Sequence, residues 1–416
     1  VLLTVTIIGI SMAAYLDLIG NQNISTMRSI EWNSGISVAE AGIEEALTHI
    51  YHNGTNLASE GWTLSGSYYT KERTLGDSKY ITSISVTDPP EIISSAYVRV
   101  PLGTNFINPP RTIRVTTAND ALFAKGMVAK GQIDLGGNNS KTDSFDSTDP
   151  AYSTGGAYDP AKAKDNGDIA TNSAMIDSLD VWNADIFGKA STGPGGTVKI
   201  GPNGSVGSEA WHLAGNKGIE PGWSSDDMNV SFPDVSVPFS GGALTPSSGS
   251  VGGTNYDYVV TSGNWELASL SMNGNEKLIA LGDAVLYVSG SVSLTGNAYI
   301  TVATNSTLKL YVGGPSASFG GNGIANTPGS ATNFVYYGLP TNTSLSMSGN
   351  AAFTGAIYAP SAAFTLGGGG SFPYDFVGSS VTTSVKMNGH FSFHYDENLG
   401  KNGPRRGYVI TSWNEI

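Results

Sequence analysis

The first sixteen positions, Val1–Leu16 (VLLTVTIIGISMAAYL), carry no charged side chain, and the first charge is Asp17. Such a run is slightly short of the roughly 20 apolar residues a membrane-spanning helix needs, and it fits a helix held in a membrane or buried in a bundle. Helical spacing continues through Leu18, Ile19, Met27, Ile30, Trp32 and Ile36 into SVAEAGIEEALTHIYHNG, where Glu40, Glu44 and Glu45 stand among the helix formers Ala39, Ala41, Ala46 and Leu47. Asn53-Gly54 supplies a stop. The pattern predicts one helix over residues 1–53, about 75 Å long at about 1.5 Å per residue. Gly9, Gly20, Gly35 and Gly42 mark points of close packing or local melting within it. The alternative is a membrane anchor followed by a separate helix.

Beyond residue 54 the apolar period changes to two. Tyr80–Val86 (YITSISV), Ala96–Val100 (AYVRV) and Thr112–Thr117 (TIRVTT) alternate, and Asp88-Pro89-Pro90 and Asn108-Pro109-Pro110 punctuate them. Alternation broken by proline predicts antiparallel strands with one buried face, packed on the helix. Arg99, Arg111 and Arg114 then read as solvated strand residues, the default for exposed charge.

From residue 121 onward, small-residue corners alternate with apolar segments. Gly274-Asn275, Gly296-Asn297, Gly321-Asn322, Gly349-Asn350, Gly369-Gly370 and Gly389-His390 recur at about 20–28 residues, the length of one solenoid coil. Between them lie segments rich in β-branched and aromatic residues, such as KLIALGDAVLYVSG, AYITVATNSTLKLYVGG and SVKMNGHFSFHYD. One coil cannot bury its apolar side alone, so stacking on the next is expected. The expected fold class is therefore α+β: a long N-terminal helix (1–53), a small antiparallel β region (54–120), a large all-β domain (121–398) and a C-terminal tail (399–416). A parallel β-helix is the expected form of the large domain, with a β-sandwich as the alternative.

Composition sharpens this. Only 13% of residues are charged and 54 are glycine, which suits short strands and tight turns. The balance of 21 Lys+Arg against 34 Asp+Glu, a formal charge of −13, lacks the electrostatic footprint of a nucleic-acid partner. With no cysteine, disulfides and thiolate metal sites are excluded.

The apolar N-terminus followed by QNISTMRSIEWNSGISVAEAGIEEALTHI at residues 22–50 resembles the N-terminal segment of type IV pilin-like and pseudopilin-like proteins, with an AEAG-type motif at Ala39–Gly42. The resemblance covers about the first fifty residues. It implies a leader cut after a glycine by a prepilin peptidase, anchoring in the inner membrane, and assembly with identical subunits by type IV pilus-like machinery into an extracellular filament. The helix residues expected to pack in the filament core are Val1, Leu2, Leu3, Val5, Ile7, Ile8, Ile10, Met12, Tyr15, Leu16, Leu18 and Ile19. If Val1 is the mature end, Val5 stands where many major pilins carry a glutamate, as expected of a minor or divergent member. Asp17 is a candidate to pair with Arg28 of a neighbour; the alternative is that Asp17 marks the membrane–water boundary. GAIYAP (355–360), LGGGGS (366–371) and MNGHFSFHYD (387–396) resemble closing coils of β-helical domains on pilin-like N-termini in Gram-negative bacteria.

Candidate chemistry is sparse. Asp143, Asp146, Asp149, Asp165 and Asp168 crowd one loop-rich stretch, with Asp134 and Asp159 nearby, and closely spaced carboxylates can supply the oxygen ligands of Ca²⁺. The stretch lacks the spacing of an EF-hand, and turn aspartates are the alternative. His390, His394 and Asp396 fall on one face of a strand by even spacing, without a further strong ligand. Trp182, Trp211, Trp223, Tyr256, Tyr258 and Trp265 lie in loop-rich sequence, where flat rings could stack on a surface glycan or a neighbouring subunit. No Walker loop or nucleophile elbow occurs. The expectation is a structural, non-enzymatic subunit without a cofactor. The alternatives are a minor, tip-located pilin or carbohydrate-binding adhesin, and a membrane-tethered β-helical enzyme acting on polysaccharide.

Overall fold

A computed structural model describes residues 2–53, 57–99, 105–136, 140–321, 324–326, 330–349, 353–368, 374–389 and 391–416. The chain is α+β and divides into two compact units. One holds residues 1–120 together with 405–416, the other residues 121–404.

In the first unit a single helix runs unbroken over Leu2–Asn53. Its second half has one buried stripe, Gly35, Ala39, Gly42, Ile43, Ala46 and Ile50, at the three- and four-residue spacing of a helix face. That stripe packs on Ile84, Ile92, Ala96, Ile113 and Val115, the inward residues of an antiparallel sheet. The sheet runs Thr63–Ser65, Tyr68–Leu75, Ser78–Ser85, Glu91–Tyr97, Arg111–Ala121 and Arg405–Glu415 in spatial order. The middle strand starts directly after Pro90 and ends at Tyr97, so EIISSAY carries the alternation that the sequence suggested for AYVRV. The last strand comes from residues set apart by sequence as a C-terminal tail. Thr116 meets Thr411 and Arg406 meets Asp120, so this strand runs opposite to its neighbour.

At Gly42 the helix lies so close to the sheet that a Cβ would stand 2.2 Å from Thr82 Oγ1 and 2.4 Å from Ser94 Oγ. Those two hydroxyls hydrogen-bond each other at 3.0 Å beneath it. Glycine at this position sets the helix–sheet distance.

The second unit is built from parallel ladders. Ser247–Val251 pairs antiparallel with Thr254–Val260, after which each ladder proceeds in parallel from one coil to the next. One runs Gly263–Leu267, Asp283–Val288, Thr307–Val312 and Phe334–Gly338, so that Leu286, Leu310, Tyr336 and Ile357 stack inward in register. A second runs Leu270–Met272, Val292–Leu294, Ser316–Phe319 and Ser344–Ser348, stacking Leu294, Phe319, Met347 and Leu366. All eight side chains are buried. The corner glycines stack as well: Gly274, Gly296, Gly321 and Gly349 all have positive φ. A Cβ on Gly321 would sit 2.2 Å from the carbonyl oxygen of Gly296. Only glycine serves both demands at that corner.

Coil order departs from chain order. The coil of residues 374–396 stacks on residues 127–145, with Val381 opposite Val128, Val385 opposite Ile133 and Asp396 opposite Phe145. From there the stack continues to Ile169–Thr171, Ala190–Ser191 and Ser224–Ser225. The first coil of the unit is therefore an interior coil.

Candidate functional site

The apolar half of the helix is the largest uncovered apolar feature of the described residues. Leu2, Leu3, Val5, Ile7, Ile8, Ile10, Met12, Tyr15, Leu16 and Leu18 are 54–86% exposed, and Ile19 is half-buried. Val1 lies outside the described residues. By length and composition this helix can cross a membrane, and none of its most apolar window is covered by the rest of the chain. Gly9 and Gly20 have open space around them. Asp17 and Arg28 are both exposed on the one helix, about 16 Å apart along its axis, so they do not pair within the chain.

Where the helix leaves the sheet, Arg111 holds it. Its Nη1 donates to the Trp32 carbonyl at 3.2 Å, and the guanidinium lies 5.5 Å from the centre of the Trp32 ring. Nε and Nη2 bind the Glu415 carboxylate at 2.7 and 3.0 Å. Arg111 is thus no solvated strand residue: its side chain is only 11% exposed. Arg114, 44% exposed, stays at the surface. The partners of Arg111, Trp32 and Glu415, come from both ends of the chain, and no local signal marks them.

Further along the helix Glu45 turns toward the sheet, with Lys71 Nζ and Arg73 Nη1 each 3.0 Å from Oε1 and the Tyr80 hydroxyl donating to Oε2. Burial works to raise the Glu45 pKa, but Tyr80, Lys71 and Arg73 outweigh it and the net shift is downward. Burial, with Glu45 beside it, pushes the Tyr80 phenol up to about 12. Helix, two strands and their charges are joined at this one carboxylate.

The loop-rich aspartates separate into different roles. Asp143 is fully buried, accepts from Tyr158 at 2.7 Å, and is paired with Lys141 Nζ at 2.7 Å and His394 Nδ1 at 2.5 Å. Its burial alone would raise its pKa, yet His394 and Lys141 bring it below the ordinary value. Asp146 is paired with Lys401 and caps Thr148, Asp149 accepts from the Ala151 N–H, and Asp165 accepts from the Glu209 N–H. Asp168 binds Lys125 at 3.1 Å and the Lys189 N–H at 2.8 Å. Among the described residues no group of three or more His, Asp or Glu is placed to hold a metal ion. Asp134 and Asp159 likewise cap local turns.

His394 and Asp396 are both buried but serve separate partners. His394 stacks on Tyr158 with ring centres 3.6 Å apart. Asp396 accepts from the backbone N–H groups of Ser147 and Asn398, at 3.1 Å each. His390 lies outside the described residues. Of the six loop aromatics only Trp182 is exposed, at 45%, with Lys199 Nζ 4.6 Å from its ring centre. Trp223, Tyr258 and Trp265 pack against the large core instead.

Comparison with known proteins identifies one family model, a domain of unknown function, matching residues 248–402. That span is less than half of the chain and coincides with the run of coils that stack in chain order. No curated protein matches the chain. Among solved structures, the crystal structure of the competence-associated pilin ComZ from Thermus thermophilus aligns at 10% identity, covering 93% of this chain and 98% of that one, with a TM-score of 0.22. A superposition that loose carries no argument about fold or function.

Proposed function

We propose that this chain is a structural, non-enzymatic subunit of an extracellular type IV pilus-like filament, held together by packing of the N-terminal half-helix among identical subunits and displaying its large β unit outward. The uncovered apolar half-helix carries this reading. The same helix is packed from Gly35 onward and exposed over Leu2–Leu18, and about 25 cal/mol per Å² of apolar surface removed from water makes a bundle of such half-helices strongly cohesive. A pure membrane anchor would not need the rigid continuation that docks it, through Arg111 and Gly42, to a folded sheet. Parallel ladders that stack coil on coil in register support a parallel β-helix over a sandwich for the large unit. A prepilin peptidase, the assembly machinery and the inner membrane before assembly are the partners that go with this reading, supported by the AEAG-type segment.

The test places a charge in the half-helix. Ile7→Lys or Ile10→Lys should abolish filaments seen by electron microscopy of sheared cells, while the melting of both folded units stays unchanged. Filaments of normal number and length from either variant would overturn the mechanism.

A further inference from the structure

The seam between the last and the first coil carries a consequence for how the large unit is completed. The later block, residues 254–396, pairs in parallel over 17–28 residues, as in Tyr374 with Phe391 and Ser316 with Ser344, and the block 127–225 pairs within itself over no more than 46, as in Leu179 with Ile133; only the outer edge of its first coil meets a neighbour about 250 residues downstream, Asp396 opposite Phe145 and Val381 opposite Val128. A strap without regular secondary structure, residues 226–246, connects the blocks by running back across the coils. Asn172 clamps it at Val230, with Nδ2 donating to the carbonyl at 2.6 Å and Oδ1 accepting from the N–H at 3.1 Å. Tyr358 holds the Pro233 carbonyl at 2.7 Å, Phe239 meets Tyr287 edge-on, and the Leu244 N–H reaches Asn264 at 3.0 Å.

Charged and polar pairs, one of them buried, cross the seam. Asp143 with His394, Asp146 with Lys401, and Lys164 with Glu397 cross it, and the Tyr395 hydroxyl donates to the Phe123 carbonyl at 2.7 Å. On the C-terminal side Phe353, Phe376 and Phe393 stack with ring centres 4.5 and 4.4 Å apart, and Phe393 ends the stack at the seam opposite Thr142.

We infer that the block 127–225 completes its folding only after the coil 374–396 is in place, so that the C-terminal residues act as a completeness check on the subunit. A coil buries its apolar ends only on its neighbours, and the strands of the early block are two to five residues long. Met127, Ala129 and Ile133, fully buried in the finished unit, are uncovered on one side until residues 374–396 arrive. Pairings between residues near in sequence form at lower loop-closure cost than pairings about 250 residues apart, so the seam is the last contact to close, and the short strands of the early block stay open at its first coil until then. The family model ends its match at residue 402, just past the seam, and begins it at 248, at the first strand of the later block. The same C-terminal stretch goes on to supply Arg405–Glu415, and with it Glu415, to the first unit, so a shortened chain lacks the partner of the Arg111 clamp too.

The experiment is pulsed hydrogen exchange on the full-length chain refolding in detergent. Amides of 169–187 should gain protection together with or after those of 391–396, and after those of 278–312. Protection of 169–187 before 391–396 would overturn the inference. A native-state measurement on full-length Phe393→Ala gives an independent check. Exchange in 127–187 and 374–396 should rise together by tenfold or more, with 278–312 unchanged. A rise confined to 374–396, or spread equally through 278–312, would refute it.

Discussion

At the scale of single residues, Gly42 shows the tightest constraint. Alanine there gains about 1 kcal/mol of helix propensity, but its Cβ must displace Thr82 and Ser94, and overpacking of this kind costs about 1–3 kcal/mol. Denaturant unfolding of Gly42→Ala is expected to show a net loss, whereas Gly20→Ala, with open space around it, should raise helicity at no packing cost. Glu45 and Tyr80 give a pH signature. The Glu45 carboxyl is held below its ordinary value of 4.5, so its contribution is present above that pH and is lost as pH falls through the lower folded value. Tyr80, raised from 10.0 to about 12, leaves stability intact below pH 10.0 and lowers it as pH climbs toward about 12. A thermal melt of Glu45→Gln across pH 3–6 should be flatter than that of the parent chain. In the large unit, Tyr336→Phe strips the buried Asn342 Oδ1 of a 2.8 Å hydrogen bond, and an unsatisfied buried acceptor costs about 1–3 kcal/mol, measurable by calorimetry. The apolar partners at these positions were legible from alternation. The buried charges were not, because a lysine or arginine in sequence looks the same whether its carboxylate is absent or 300 residues away.

At the scale of elements, one helix combines two environments. The buried stripe from Gly35 to Ile50 follows from helical spacing, and the absence of charge before Asp17 is read directly from the residues. The seam holds a buried charge pair that one substitution breaks. Asp143→Ala leaves Lys141 and His394 without their buried partner, and breaking such a pair on one side costs about 3–5 kcal/mol. Chemical denaturation of the large unit should show that loss. The candidate cation stretch was visible as a run of aspartates, but its carboxylates point to different lysines, backbone amides and a histidine. Proximity along a loop says nothing about which partner each group turns toward.

At the scale of the whole molecule, the half-helix contributes nothing to either folded core. A chain beginning at residue 31 should therefore keep the melting temperature of the parent in detergent-free solution and elute as a monomer; melting more than a few degrees lower would place residues 2–30 within the fold. The helix, the alternating strands and the glycine corners all follow from periods of 3.6, 2 and about 20–28 residues, because each is a local rule that a short window of sequence must obey. Strand Arg405–Glu415 joining the first sheet, the Arg111 clamp on Trp32, the strap, and the last coil closing on the first belong to the tertiary structure alone. Parallel stacking asks only that an apolar edge meet another of like width, and many coils satisfy that demand. Which two meet is decided by where the chain can reach and by buried charge pairs such as Asp143 with His394, whose members carry no mark of each other in the sequence.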